Sequence, residues 1–375
     1  MTTARSEVDV DISAWTGRPL RPVRKAVKLS LAELHAFQKD WRGEPVERRL
    51  NYLLHDLFVM HPLLAAIAAA VIQRGEELVM TGRGRGFLVI CPPDGGKTTL
   101  IDWLRSEFPT LTITEPDPMD ESLTIERTEI PFLWIDVPAP CTMTTFLEAI
   151  LEAIGSPART FKTPKKRLEF VIEQLKIARV RFLAVDNVQD VPDKTGPRTT
   201  KTIGNLIRGL IDKPGLVAIL LGTQEARIVV SSNDQLRKRV KGLLSLGPYD
   251  VDSPEQLAKC MEMISKVEER LPLSGQAGLA KGALGRGLSC AINGNIGTLV
   301  DLLAIAIPRA VKDGRECVIL EDVKTAYELL FLGYAEEVDP FAPKFVPRRL
   351  NLPGEPHFTA LDDRNARRRK SREPH

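Results

Sequence analysis

Lys97 and Thr98 follow paired glycines in the stretch GFLVICPPDGGKTTLIDWL, Gly86 to Leu104, where the order of residue types suits phosphate binding. An apolar run of β character, Phe87 to Ile90, stops at Cys91-Pro92-Pro93-Asp94-Gly95, and Gly96-Lys97-Thr98 opens a helix carrying Leu100, Ile101 and Leu104. Apart from its first position this fits G-x-x-x-x-G-K-[ST], in which loop amides and a helix N-terminus surround phosphates, a lysine reaches the β- and γ-oxygens and a hydroxyl holds Mg²⁺. Pro93, Asp94, Gly95, Gly96, Lys97, Thr98 and Thr99 are the expected ligands of ATP. Cys91 stands where the first glycine is usual. A strand-turn-helix joint with a chance Gly-Lys-Thr is the competing explanation, and the presence of both required flanks weighs against it.

Asp186 is the second candidate, because it ends the apolar run Arg181 to Val185. A carboxylate at the carboxyl end of a strand beside a phosphate loop holds Mg²⁺, directly or through water. Thr98 and Asp186 are thus the expected metal pair. Asn187 follows where many such ATPases carry a glutamate that activates the attacking water. An amide orients water but takes no proton from it, so slow hydrolysis is expected unless Asp190 supplies the base. Thr223 ends another apolar run, Gly215 to Gly222, with a hydroxyl suited to the γ-phosphate or the water.

These residues need a frame. Apolar runs at 87–90, 132–137, 181–186, 215–223 and 243–246 alternate with helical patterns at 143–154, 168–178 and 203–211, which predicts a parallel, doubly wound sheet with its ligand at the strands' carboxyl ends. Helical patterns at 46–59 and 63–72, broken by His61-Pro62, precede the phosphate loop. Residues 112–128 predict a loop or hairpin excursion, and Asp193 to Thr202 a polar loop with Lys194, Arg198 and Lys201. From Ser253 the β pattern gives way to helical segments at 253–271, 277–292, 296–311 and 320–330. After about Asp339 the chain is Pro-containing and ends with Arg364, Arg367, Arg368, Arg369, Lys370 and Arg372, a block that suits an interaction arm.

Composition excludes several classes. The 375 residues are 43% hydrophobic and 27% charged, which suits packed domains and not a disordered chain. The longest apolar stretch, Phe58 to Ile72, is too short to span a bilayer, and the N-terminus lacks the apolar core of a secretory signal, so a cytoplasmic protein with no membrane partner is expected. Five scattered cysteines without a C-x-x-C pair speak against a metal site or a disulfide framework built on them. A net charge of +3 by itself predicts no polyanion partner.

The order of parts from about 45 to 335 resembles an AAA+ ATPase, and more closely the TniB/TnsC-like ATPases that regulate transposition. The resemblance rests on His61-Pro62-Leu63-Leu64 before the phosphate loop, Val137-Pro138-Ala139-Pro140 followed by Phe146-Leu147-Glu148 and Gly155, and Asp186 with Val188-Gln189. It continues through Leu221-Gly222-Thr223, Asp234-Gln235-Leu236-Arg237-Lys238-Arg239, Leu271-Pro272-Leu273 and Gly294-Asn295-Ile296-Gly297. It implies an α/β fold: an AAA+ P-loop parallel sheet sandwiched by helices with a small C-terminal α-helical lid domain. The expected divisions are an N-terminal arm and leading helix (1–44), an ATPase domain with a helical preface (45–250), the lid (251–337) and a basic tail (338–375). By carry-over, Lys97 and Thr98 match Walker A, Asp186 the Walker B acid, Thr223 sensor 1 and Arg239 the arginine finger offered to a neighbouring subunit, and Lys97, Asp186, Thr223 and Arg239 form the expected catalytic set together with Asn187. Cys91, Asn187 and Val240 depart from the pattern. The resemblance further implies a ring or filament on double-stranded DNA, contacted here through Lys194, Arg198 and Lys201, that recruits a transposase and target-selection proteins. A hydrolysis-impaired nucleotide-gated scaffold and an initiator or helicase-loader ATPase are the alternatives.

Overall fold

The computed structural model describes residues 41, 44–116, 123–156, 160–161, 163–334 and 338–358, and of 192–198 the backbone alone. A short helix, α1 (Val46–Asn51), runs into a π-helical turn at Tyr52–Asp56. The helical pattern expected to reach residue 59 therefore stops at 56, as the chain extends from Leu57 towards His61-Pro62. Pro62 then opens α2 (Pro62–Thr81), where a missing N–H costs nothing in the first turn. β1 (Arg85–Ile90) leads to α3 (Lys97–Glu107). The excursion is a hairpin, β2 (Leu111–Pro116) with β3 (Thr124–Glu129), paired antiparallel. It has no strand of the main sheet as a neighbour, and Arg179 ties its two strands through Glu115 and Glu129.

β4 (Phe132–Asp136), α4 (Met143–Ile154), α5 (Pro164–Ile177) and β5 (Phe182–Asp186) follow, with Thr142 and Thr163 capping the helices by accepting from backbone amides three residues on. Residues 193–202 are not the polar loop expected from Gly196-Pro197 and the run of threonines: one helix, α6 (Asp190–Asp212), passes through them. Val191, Thr200, Ile203, Ile207 and Leu210 are all buried at helical spacing, so a continuous packed face overrides the local turn signals. β6 (Val217–Gly222), the short helices α7 (Arg227–Ser231) and α8 (Asp234–Arg237), and β7 (Val240–Ser245) complete the unit. The strand starts at Val240, three residues before the apolar run expected at 243–246.

The main sheet is parallel in the order β4-β5-β6-β1-β7. Side chains alternate between its faces: Leu88, Ile90, Leu133, Ile135, Leu183 and Val185 enter one core, while Phe87, Val89, Phe132, Phe182 and Ala184 enter the other. Burial on both faces explains why these strands read as unbroken apolar runs. All five carboxyl ends lie on one edge, and the candidate residues gather there.

The lid is built from α9 (Pro254–Glu268), α10 (Gly282–Ala291), α11 (Ile296–Lys312) and α12 (Leu320–Leu330) around a third core. Leu53 and Val59 from the helical preface join this core, and buried Arg49 reaches Glu316 at 3.0 Å, so the preface bridges sheet and lid. Residues 338–358 pack on the lid as well: Leu350 is fully buried, Arg348 pairs with Glu355, and His357 meets the Ala291 carbonyl at 2.7 Å. The expected N-terminal arm and leading helix, up to residue 40, and the arginine block from Arg364 lie outside the described residues. No single described helix is long and apolar enough to cross a membrane.

Candidate nucleotide site

β1 delivers the loop to the carboxyl edge. The Gly95 amide donates to the Pro92 carbonyl at 3.1 Å, and Gly96, at φ 86°, is the residue before the helix, a conformation side chains disfavour. Lys97 opens α3 and its Nζ lies 2.9 Å from Asp186 Oδ1 and donates to Asn187 Oδ1 at 2.7 Å. The two expected strand-end residues are thus brought onto the loop lysine. Cys91 is buried in the core below, and its amide donates to the Gly222 carbonyl at 2.8 Å, prolonging the β1–β6 ladder. Burial pushes its thiol up to about 12 against the opposing pull of Lys97, so it remains a neutral packing group.

A polar network spreads along the edge from Asn187. Its backbone sits at φ 54°, a left-handed conformation that asparagine tolerates better than most residues, and its amide N–H donates to Asp186 Oδ1 at 2.7 Å. Its side-chain Nδ2 donates to Asp136 Oδ1 at 2.8 Å, while Oδ1 accepts from Lys97 and from Gln189 Nε2 at 3.2 Å. Gln189 Oε1 in turn accepts from the Thr223 amide at 3.2 Å, and the Thr223 hydroxyl donates to Glu225. That bond to Thr223 holds the Glu225 carboxyl below its usual range. Lys97, Asp186, Asn187 and Thr223 therefore converge across three adjacent strands.

The loop borders a cleft of about 630 Å³ between sheet and lid. Pro93, Asp94, Gly96, Lys97, Thr98 and Thr99 line its floor, whereas Gly95 is buried beneath it. Leu53, Leu54, Leu57 and Val59 from the preface and Ile296 and Val300 from α11 give the cleft an apolar lining suited to a flat base. His61 also borders it, 2.9 Å from the Tyr249 hydroxyl, and burial with the nearby Lys266 lowers its pKa to about 4, so it is neutral at pH 7. Asp301 faces the cleft from the lid, its carboxyl raised by burial and by Asp94.

The lid is latched to the phosphate loop itself. Gly297 N–H donates to the Asp94 carbonyl at 3.1 Å and Asn295 Nδ2 to the Pro93 carbonyl at 3.2 Å. A Cβ at Gly297 would lie 2.4 Å from the Asp94 carbonyl oxygen, a backbone atom that cannot step aside alone. Gly297→Ala is therefore expected to push α11 off the loop, at about 1–3 kcal/mol of stability, and to weaken nucleotide affinity about tenfold. Thermal melts and nucleotide titration check this, and an unchanged affinity would show that the latch does not shape the site.

Thr98 and Asp186 offer a hydroxyl and a carboxylate oxygen, the donor types Mg²⁺ takes when it enters with a phosphate chain. Among the described residues no three His, Cys, Asp or Glu side chains gather as a separate metal cage. Arg239 is elsewhere: its carbonyl accepts from the Gly86 amide at the opposite end of β1, and its guanidinium pairs with Asp212. Lys201 is exposed on α6, and the side chains of Lys194 and Arg198 lie outside the described residues. Gln189 as a bonding partner, the Asn295–Gly297 latch and Asp136 were not among the residues expected at the site. Only Asp136 carried a usable signal, since it too ends an apolar strand.

A family model described as bacterial TniB protein matches residues 49–244. No curated protein matches the chain. Among solved structures, Cdc6p from Pyrobaculum aerophilum is 15% identical with a TM-score of 0.52, covering 76% of this chain and 73% of its own. The Aeropyrum pernix ORC2 protein, solved as ADPNP-ADP complexes, is 13% identical with a TM-score of 0.51, covering 75% and 71%. Likeness at these identities reports a shared fold.

Proposed function

The chain belongs to the bacterial TniB family and has the AAA+ P-loop fold, and from that premise we propose that it is an ATP-dependent regulator of DNA transposition. The observation that carries the nucleotide part is the convergence of Lys97, Asp186 and Asn187 at the floor of a cleft closed by the lid. ATP enters with its base against the apolar lining and its phosphates over Lys97 and the start of α3. Lys97 then exchanges Asp186 and Asn187 for the β- and γ-oxygens. Thr98 and Asp186 would hold Mg²⁺, which neutralises charge on those oxygens. Thr223 orients the γ-phosphate or the water. The functional divisions are the ATPase unit 45–250, the lid 251–337 and the segment 338–375, with 1–44 as a leading arm.

Arg239 completes a neighbour's site. Its position at the amino end of the sheet, about 17 Å along β1 from its own phosphate loop, supports action between subunits. ATP thereby couples to assembly of a ring or filament on double-stranded DNA in the cytoplasm. Lys194, Arg198 and Lys201, carried on a helix and not a loop, contact phosphates without reading bases. The assembly marks a target and recruits a transposase, and hydrolysis dismantles it. Asn187 favours a second version of this function, a scaffold gated by ATP that hydrolyses it only slowly or not at all.

Steady-state ATP turnover with and without double-stranded DNA tests the proposal. Turnover that rises at least about fivefold on DNA is expected for the regulator. Tight ATP binding with no turnover under either condition supports the scaffold, and absence of ATP binding contradicts both.

A further inference from the structure

β4 and β5 pair with Asp136 opposite Asp186, so two carboxylates stand side by side at the carboxyl edge of the sheet. They have different surroundings. Asp186 is buried and its Oδ1 is engaged by Lys97 Nζ at 2.9 Å and by the Asn187 amide at 2.7 Å. Asp136 is exposed, and its Oδ1 accepts from Asn187 Nδ2 at 2.8 Å. One asparagine side chain thus links the loop lysine on one side to a solvent-facing carboxylate on the other. An amide does not take a proton from water, whereas a carboxylate does.

Resting on the ATPase function above, we propose that Asp136 is the general base of hydrolysis and that Asn187 is the positioning residue that holds it. When Lys97 moves to the phosphates, Asn187 Oδ1 loses its cationic donor and accepts one O–H of the attacking water. Asp136, bonded to the nitrogen of the same amide, lies within one water's span of that oxygen and accepts the other. The water oxygen forms a bond to the γ-phosphorus as the bond from that phosphorus to the β–γ bridging oxygen breaks. Its electron pair leaves with ADP, the water's proton passes to the Asp136 carboxylate, and inorganic phosphate departs. Solvent then takes the proton from exposed Asp136.

The left-handed turn at the end of β5 explains why the carboxylate stands on β4. With φ 54°, position 187 favours asparagine or aspartate over a longer glutamate. Asp190 is a less direct candidate, because it opens α6 three residues beyond Asn187, its amide donating to the Asn187 carbonyl at 2.9 Å.

The test compares the parent, Asp136→Asn and the exchange Asp136→Asn with Asn187→Asp, which keeps one carboxylate and one amide in the pair. Each is assayed on double-stranded DNA for ATP turnover and, with a fluorescent ATP analogue, for binding. Asp136→Asn is expected to lower kcat by 10²-fold or more with nucleotide affinity within threefold of the parent. The exchanged pair is expected to regain at least tenfold of that loss. A parent that binds and hydrolyses ATP while Asp136→Asn turns over within threefold of it overturns the assignment of Asp136 alone. So does a loss of turnover that tracks an equal loss of binding, or an exchanged pair no faster than Asp136→Asn. A parent that binds no ATP overturns the nucleotide function, and this proposal with it.

Discussion

Lys97→Ala is expected to abolish ATP binding and DNA-bound assembly together. Lys97 is the only positively charged side chain among the described residues lining the cleft, since His61 is neutral, while Asp94 and Asp301 border the same space. Removing it leaves a negative lining opposite a triphosphate and uncovers Asp186, which is almost wholly buried. Two charge-assisted hydrogen bonds to phosphate oxygens are worth about 1.5–3 kcal/mol each, so the affinity should fall by at least about 10²-fold. Nucleotide titration of the variant, with circular dichroism to show that it folds, checks this. Parental affinity in a folded variant would remove the phosphate-loop assignment.

Arg239→Ala is expected to act on the neighbour. The lost pair with Asp212 is solvent-exposed and contributes at most about 1 kcal/mol, so the monomer should fold and bind ATP as the parent does. Turnover in the assembled state should fall towards 10³-fold, the lower range for an arginine supplied across an interface. Lys97→Ala subunits bind no ATP but still present Arg239, whereas Arg239→Ala subunits bind ATP but lack the finger. Mixing the two should restore part of the activity. If the mixture is as inactive as either variant alone, Arg239 does not act between subunits, and Arg237, two residues earlier and paired with Asp234, becomes the residue to replace.

Legibility in the sequence followed the range of the interactions. The phosphate loop and the Asp186 strand were readable because each depends on a few contiguous residues, and doubly buried strands announce themselves as apolar runs. The lid helices were readable from their amphipathic spacing. The second half of helix α6 was readable at 203–211, but its first half was not, because Gly196-Pro197 signals a turn locally and only the burial of Val191 and Thr200 decides for helix. Lys194, Arg198 and Lys201 therefore ride on a helix, and their reach differs from that of loop residues. The Asp136–Asn187 bond joins residues 51 apart and the latch joins Asn295 to Pro93 across 202, and neither leaves a periodic trace in the chain. Both arise from register, β4 against β5 and lid against loop.

The central claim is that nucleotide state governs assembly on DNA. The most direct measurement is electron microscopy of the purified protein with double-stranded DNA in the presence of a non-hydrolysable ATP analogue, ADP or no nucleotide. Rings or filaments enclosing DNA are expected with the analogue, and none with ADP or without nucleotide. Equal DNA-bound assembly in all three conditions, or none in any, would contradict the claim.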